Sequence, residues 1–249
     1  MRDGFDPTLF ERLLEVEPKS FWFRARNRLI VSALRRHFPE ARSLLEVGCG
    51  TGFVLAGLRV AFPHRRLVGS ELFPQALEHA RERLGDAVEL VELDARAMPY
   101  ENEFDVVGAF DVIEHIGDDD GVLRGMRRAV VSGGGLLVMV PQHPRLWSEA
   151  DVLAHHVRRY TRRELVSKVE QAGFEVVQAT SSVTALLPAM VASRVAYRLA
   201  RRPYDEFRDL QPGRLNRPFE LILDGERRLI ERGVSLPFGG SLLVAARAR

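Results

Sequence analysis

The chain has 249 residues, of which 46% are hydrophobic and 28% are charged, and its formal net charge at pH 7 is +2. These fractions are typical of a globular protein and exclude a collagen-like, coiled-coil or disordered chain. The length predicts one large domain, or one domain with an elaboration. The single cysteine, Cys49, excludes an internal disulfide framework and a CxxC zinc site. A cytoplasmic protein is expected, since the first residues lack an apolar signal core and no long uncharged apolar run predicts a membrane span.

From residue 43 onward, short apolar runs alternate with longer patterns of helical period. The runs predict strands over residues 43–47, 66–70, 88–93, 104–110, 136–140, 174–179 and 241–246. The helical patterns lie over residues 51–62, 74–84, 118–131 and 161–172. The glycines at 133–135 are expected to end the third of these helices. This alternation predicts an α/β fold with a doubly wound, mostly parallel seven-stranded sheet and helices on both faces.

Two segments lie outside this alternation. Residues 1–40 are expected to form an N-terminal helical lid. Residues 184–235, which we call the insertion, are expected to form a helical cap before the last strand. Residues 41–183 together with 236–249 would then form the sheet domain, in which a ligand is expected outside the carboxyl ends of the strands.

A glycine-rich turn follows the first predicted strand and opens a helix. Gly48, Gly50 and Gly52 allow a tight turn and a close approach of a ligand to the backbone. A dinucleotide fingerprint would carry a small residue where Phe53 stands. Glu46, at the end of the strand, would repel a pyrophosphate. The loop therefore favours a nucleoside ligand that carries positive charge.

Acidic residues close the next two predicted strands. Glu71 ends the second strand, where its carboxylate can accept hydrogen bonds from both hydroxyls of a ribose. Asp94 ends the third strand and can accept a hydrogen bond from an exocyclic adenine amine. The alternatives are a solvated strand-end carboxylate for Glu71 and a loop cap for Asp94.

These residues belong to five stretches that occur in a fixed order along the chain. They are LLEVGCGTG (44–52), VGSELFPQALEHAR (68–81), DARAMPYENEFDVV (94–107), FDVIEHI (110–116) and GGGLLVMVP (133–141). In this order they resemble the class I S-adenosylmethionine-dependent methyltransferases, and the small-molecule branch with the ubiquinone and menaquinone biosynthesis enzymes is the most similar. The resemblance covers roughly residues 43–182 and the last strand.

The resemblance implies S-adenosyl-L-methionine as the cofactor. Glu46 and the backbone of residues 48–52 would hold its methionine end. Asp111 and His115 would lie beside the methionyl part and the opening for the substrate. The segment FWFR at 21–24 is similar to the aromatic lid of several relatives, and the alternative is a plain amphipathic helix packed on the sheet.

The resemblance also implies residues for the adenosine end of the cofactor. Glu71 would hold the ribose, and Leu72 would line the adenine slot. Asp94 and Ala95 would contact the adenine.

Transfer of a sulfonium methyl group is an in-line displacement, to which the protein mostly contributes proximity and orientation. A general base is needed only if the attacking atom carries a tightly held proton. The candidates are His115, His143, His155, His156 and Tyr160, and three of them, His115, His143 and Tyr160, are assigned to the site. For each, the alternative is a residue that packs a loop or faces solvent. No metal site is expected, because the sequence has no HxxxH pair, cysteine cluster or DxDxDG loop. The acidic run 118–120 is explained as a helix N-terminus.

Residues 184–202 of the insertion are apolar at their start and basic towards their end. The apolar residues are Leu186, Leu187, Met190 and Val191, and the basic ones are Arg194, Arg198, Arg201 and Arg202. We expect a cap over the site or a homodimer contact, with peripheral contact to an anionic membrane as the alternative.

The expected partner is a small-molecule or lipid-like acceptor, methylated at O, N or C, and not a nucleic acid. Other functions stay open at this point. An RNA or protein methyltransferase on the same fold is one, and a cofactor-binding partner protein without catalysis is another. A nicotinamide oxidoreductase is disfavoured by Phe53 and Glu46.

Overall fold

A seven-stranded mixed sheet runs through the computed structural model of the protein, which describes residues 9–200 and 206–249, without the side chains of residues 198, 200, 206 and 208. The strands are β1 (Ser43–Val47), β2 (Arg66–Glu71), β3 (Glu89–Glu92), β4 (Phe104–Phe110), β5 (Val130–Pro141), β6 (Phe174–Ser182) and β7 (Ser241–Ala248). Their spatial order is β3-β2-β1-β4-β5-β7-β6, and β7 runs antiparallel to both of its neighbours. This confirms the predicted doubly wound, mostly parallel α/β fold.

The helices are α1 (Phe10–Val16), α2 (Phe21–His37), α3 (Phe53–Ala61), α4 (Pro74–Leu84), α5 (Asp119–Ala129), α6 (Glu149–Leu153), α7 (Arg162–Gln171), α8 (Leu187–Ala200), α9 (Glu206–Leu210) and α10 (Asn216–Glu231). Local signals explain several of their starts. The Ser20 hydroxyl accepts a hydrogen bond from the Trp22 N–H at the start of α2, and Pro74 occupies the first turn of α4, where its missing N–H costs nothing. Thr161 and Glu164 form a capping box at the start of α7.

The sheet buries both of its faces, as parallel sheets do. On one face, Leu45 and Val47 of β1 pack with α5 and α7. On the other face, Leu44 packs with α2, α3 and α4. Successive side chains of a strand point to opposite faces. A strand that is buried on both faces, such as β1, therefore has apolar residues at the consecutive positions Leu44 and Leu45.

The predicted end of α5 is wrong. The helix ends at Ala129 and β5 begins at Val130, so the glycines at 133–135 lie inside a strand. The β4–β5 register shifts there: Phe104 pairs with Val130, but Val106 pairs with Gly135. A side chain on Gly135 would lie 2.0 Å from the Phe38 ring. The glycines therefore permit a bulge beneath a close aromatic neighbour.

The N-terminal helices and the insertion lie on the same side of the molecule. The first half of α2 faces the insertion, where Phe21 packs with Leu223 of α10. Its second half belongs to the core, since Ile30 and Leu34 are fully buried. Residues 1–8 of the predicted lid, and Arg201 and Arg202, lie outside the described residues. Over the described part of the chain, every helix is too short or too polar to cross a bilayer.

Candidate functional site

A cavity of about 1100 Å³ opens at the carboxyl ends of β1 to β5, beneath α1, α2 and the insertion. The sequence-predicted residues that line it are Glu46, Gly48, Gly50, Glu71, Leu72, Asp94, Ala95, Asp111 and His115. The structure thus brings together residues from the ends of four strands, where a parallel sheet places its ligands. Gly52, His143 and Tyr160 lie outside this wall.

The glycine loop needs its glycines for two different reasons. Gly48 has φ +67°, and a side chain there would meet Val112 at 2.6 Å. Gly52 has φ +76°, and a side chain there would meet Leu84 of α4 at 2.8 Å. Gly52 therefore serves the packing of α3 against α4, whereas Gly48 and Gly50 shape the cavity wall.

Glu71 ties the glycine loop to the end of β2. Its buried carboxylate accepts hydrogen bonds from the backbone N–H groups of Gly50 at 2.9 Å, Leu72 at 2.7 Å and Phe73 at 3.2 Å. Burial raises the pKa of Glu71, although these three bonds act in the opposite direction. A carboxylate has about four acceptor positions, so this one retains capacity for a ligand hydroxyl.

Glu46 is as buried as Glu71 but much less satisfied. Its Oε2 atom has no hydrogen-bond partner among the described residues. Burial raises the pKa of Glu46 to about 8, and the carboxylates of Glu71 and Glu17 add to the effect, while Arg26 opposes it. A buried carboxyl group that lines a cavity and lacks a donor fits a cationic ligand group, and the ammonium of a methionine moiety is such a group.

Arg26 of α2 is a cavity residue that the sequence analysis did not single out. Its Nε lies 2.7 Å from Asp111 Oδ2, and its Nη2 donates to the carbonyl of Phe110 at 2.6 Å. The side chain is 9% exposed and stacks near the Trp22 ring. Helical periodicity in the sequence could have indicated Arg26, because it stands one helical turn from both Trp22 and the buried Ile30. Asp111 itself has φ +57°, a strained backbone of the kind found at binding sites.

Asp94 has taken the role of a loop cap. Its carboxylate accepts a hydrogen bond from the Arg96 backbone N–H and pairs with the Arg96 guanidinium at 2.7 Å. The bonds from Arg96 lower the pKa of Asp94. Asp94 and Ala95 still line the cavity, and their contact with adenine stays a prediction.

Of the three candidate bases, only His115 faces the cavity. Burial lowers the pKa of His115 to about 4, so its imidazole is neutral near pH 7. Tyr160 is fully buried in the core, where its hydroxyl donates to Asp119 Oδ2 at 2.7 Å. Burial raises its pKa. The His143 ring stacks on Phe238, away from the wall, and burial lowers its pKa.

The connector after β5 does reach the cavity, but through other residues. The His143 N–H donates to the Tyr160 carbonyl, which closes this connector into a loop. Asp151, His156 and Arg159 from the loop line the wall. His143 packs outside the cavity and Tyr160 lies inside the core, so neither side chain reaches the cavity wall, and the catalytic roles expected for them stay predictions.

The opposite side of the cavity is mainly apolar. Its wall includes Phe21, Trp22, Leu186, Met190, Phe207 and Phe219, from α2 and the insertion. Arg194 of α8 also lines it and donates to the Leu146 carbonyl at 2.8 Å. Leu187 is half-buried outside this wall, and Val191 is exposed. Residues of the insertion thus line the cavity, and their role as a cap stays a prediction, as do the membrane and homodimer contacts.

Residues 19–179 match the sequence profile of the family described as "Methyltransferase domain". A protein of Mycolicibacterium smegmatis named as a probable S-adenosylmethionine-dependent methyltransferase is 30% identical over 167 residues, 64% of this chain and 61% of that protein. The ubiquinone biosynthesis O-methyltransferase of Bordetella bronchiseptica is 28% identical over 156 residues, 55% of this chain and 63% of that protein. The matches span about three fifths of the length of these relatives.

A similar structure is the protein solved in complex with the Trm112 methyltransferase activator of Haloferax volcanii. It is 18% identical, with a TM-score of 0.65, and the match covers 100% of this chain and 99% of that one. At this identity the likeness bears on the fold alone, and it agrees with the strand order described above.

Proposed function

This chain belongs to the methyltransferase-domain family, and we propose that it transfers a methyl group from S-adenosyl-L-methionine to an O, N or C atom of a small, largely apolar acceptor. One observation carries the proposal: a single cavity joins the glycine loop, Glu46 and Glu71 on one side to the apolar wall of the insertion on the other.

The polar side of the cavity suits each part of this cofactor. The unpartnered oxygen of Glu46 fits the amino group of the methionine moiety, and the Arg26 guanidinium fits its carboxylate. Glu71 retains acceptor capacity for the ribose. Glu71, together with Glu46 once a bound ammonium group favours its ionised form, gives this wall a negative character that favours a sulfonium cation.

When bound, the cofactor supplies an already activated methyl group. The protein must then hold the attacking atom in line with the bond that breaks, and such positioning is worth roughly 7–11 kcal/mol. His115 is neutral near pH 7 and lines the cavity, so its imidazole can accept a hydrogen bond from an acceptor hydroxyl or amine and orient it. A pKa of about 4 makes it a weak base, which suits an acceptor whose proton is lost as the new bond forms.

The size and lining of the cavity indicate the class of acceptor. Pockets for one drug-sized ligand occupy about 300–1,000 Å³, so about 1100 Å³ leaves room beside the cofactor. The remaining wall is aromatic and aliphatic. Two arginines of the wall, Arg96 and Arg159, are each paired with a carboxylate, and Arg26 is assigned to the cofactor. This lining supports an apolar acceptor better than a polyanion, and the quinone pathway named for the Bordetella relative makes a substituted phenol or quinol a suitable first probe.

Two measurements test the proposal. Calorimetry should show binding of S-adenosylhomocysteine and none of NAD⁺ under the same conditions. Purified protein with tritiated S-adenosyl-L-methionine should then label a hydroquinone that carries an alkyl chain, and label the unsubstituted hydroquinone more slowly. Binding of NAD⁺ instead of S-adenosylhomocysteine would overturn the cofactor, and faster labelling of the unsubstituted ring would overturn the apolar acceptor.

A further inference from the structure

Three side chains with metal-binding atoms meet at the cavity wall. Glu114 and His115 follow directly after β4, and His156 comes from the connector after β5. One ligand atom of each lies within 4.8 Å of those of the other two. His115 and His156 line the cavity, with their ring centroids 4.9 Å apart.

Glu114 is the group that demands an explanation. It is fully buried, and neither of its carboxylate oxygens accepts a hydrogen bond from the described residues. The nearest basic atom is His156 Nε2, at 4.0 Å from Oε1. Buried carboxylates in proteins are paired, hydrogen-bonded or bound to a metal. Glu114 accepts no hydrogen bond from the described residues, and its contact with His156, at 4.0 Å, is at the outer limit for an ion pair.

His156 is already oriented as a metal ligand is. Its Nδ1 lies 2.9 Å from Asp151 Oδ1, and Asp151 is held in turn by Arg159 and by the Ser148 N–H. A carboxylate at one ring nitrogen fixes the proton there and leaves the lone pair on the other nitrogen. That other nitrogen, Nε2, is the one near Glu114.

We propose that Glu114, His115 and His156 bind one divalent transition-metal ion of the Zn²⁺ class. Two imidazoles and one carboxylate are the ligand set of catalytic zinc sites, which keep a fourth position open. Bonds of about 2.0–2.2 Å put tetrahedral ligand atoms roughly 3.4 Å apart, so these atoms need to approach one another by about 1 Å.

The place of the site suggests what the ion does. The cavity side of the cluster is formed by His115 and His156, so an ion held there presents its open position to the acceptor. With the ion bound, His115 is a ligand and no longer a base, and the ion itself would lower the pKa of an acceptor hydroxyl bound as the fourth ligand. This last point rests on the proposed function. The binding of the ion does not rest on it.

Tag-free full-length protein, stripped with a chelator, is the material for the test. Calorimetry with Zn²⁺ and absorption spectra with Co²⁺ should give one ion per chain, with Co²⁺ bands of a low-coordinate site. Glu114→Gln and His156→Ala should weaken Zn²⁺ binding by about 100-fold or more, and Asp151→Asn, which removes the support of His156, by about 10–100-fold. His155→Ala and His143→Ala are matched controls and should bind as the wild type does.

Folding is checked independently by circular dichroism and by affinity for S-adenosylhomocysteine. If Glu114→Gln fails to fold, Zn²⁺ binding is tested with His115→Ala and His156→Ala instead. No Zn²⁺ at one ion per chain, undiminished binding in the ligand variants, or an equal loss in His155→Ala would each overturn the site. A failure of the proposed function would show itself differently, as a lack of S-adenosylhomocysteine binding.

Discussion

Two buried carboxyl groups at neighbouring strand ends differ in what satisfies them. Glu71 accepts three backbone hydrogen bonds, whereas the Oε2 atom of Glu46 accepts none from the described residues. Leaving a buried polar atom unpaired costs roughly 1–3 kcal/mol. Glu46 therefore favours a bound cation over the empty cavity, and this makes its behaviour with pH informative.

Glu46→Gln should separate stability from binding. Because burial raises the pKa of Glu46 from 4.5 to about 8, the folded protein holds a proton that the unfolded chain has lost between these pH values. The free energy of unfolding of the ligand-free wild type therefore falls, relative to that of the variant, as the pH rises from about 4.5 to 8. Thermal unfolding of both proteins at pH 5 and pH 8 checks this, and an equal gap at both pH values would contradict it.

The same variant should lose the pH dependence of ligand binding. An ammonium group on the ligand binds the ionised form of Glu46, so wild-type affinity for S-adenosylhomocysteine should rise as the pH increases towards 8. Glu46→Gln should bind more weakly, with a flatter profile over this range. Calorimetry at several pH values measures both effects, and parallel profiles would remove Glu46 from the site.

Arg26→Ala should weaken binding of S-adenosylhomocysteine by about 10–100-fold, which corresponds to roughly 1.5–3 kcal/mol for a charged hydrogen bond. The substitution removes the guanidinium offered to the ligand carboxylate and leaves Asp111 without its partner. Arg35→Ala is the control, since Arg35 lies on the same helix, is exposed and is remote from the cavity. Equal affinities in both variants would mean that Arg26 serves only to attach α2 to the sheet.

At the scale of elements, α8 combines one face on the cavity with an exposed one. Met190 lines the cavity, while Leu187, one turn earlier, does not. Met190→Asp should raise the KM for an apolar acceptor or abolish turnover, because it places a charge against the acceptor. Leu187→Asp should leave turnover near the wild-type value. Affinity for S-adenosylhomocysteine should stay within about two-fold in both, and equal effects of the two substitutions on turnover would contradict a specific contact.

The elements that follow from local patterns were predictable from the sequence. Strand β1 and helix α7 carry their own signals, an apolar run and a capping box. The start of β5 was not predictable, because it depends on the register with β4 and on Phe38, which lies far away in the sequence. A glycine triplet by itself is compatible with a helix end and with a bulge alike.

The residues of the candidate site also separate into those that the sequence could predict and those that it could not. Glu46, Glu71 and Asp111 lie at strand ends, and topology alone brings them together. Arg26 and His156 reach the cavity from α2 and from a long connector, so only the packed structure shows which of their neighbours they meet. Tyr160 illustrates the converse, since a polar residue in a promising loop proves to be a core residue bonded to Asp119.

At the scale of the whole molecule, one cavity is lined by the N-terminal helices, the sheet and the insertion. Arg24 and Arg28 of α2 form ion pairs with Glu220 of α10. Glu17, the residue that follows α1, accepts a hydrogen bond from Thr51 of the glycine loop at 2.7 Å. The lid, the sheet and the insertion therefore contact one another around the binding site. A ligand that fills this cavity should stabilise the protein as a whole, because it binds only the folded chain.

At 100 times its Kd, S-adenosylhomocysteine should add about 2.7 kcal/mol to the free energy of unfolding. For a protein of this size that corresponds to a rise in Tm of roughly 5–10 °C.

Gly48→Val should abolish this rise in Tm, since its side chain would meet Val112 at the cavity wall. Gly85→Val is the matched control, because Gly85 also has a positive φ, of +58°, but nothing lies within 4 Å of its added side chain. This variant should have a lower Tm than the wild type without ligand, and the same rise in Tm when S-adenosylhomocysteine is added. Differential scanning fluorimetry measures all three proteins, and a folded Gly48→Val with the full rise would show that the loop does not hold the cofactor.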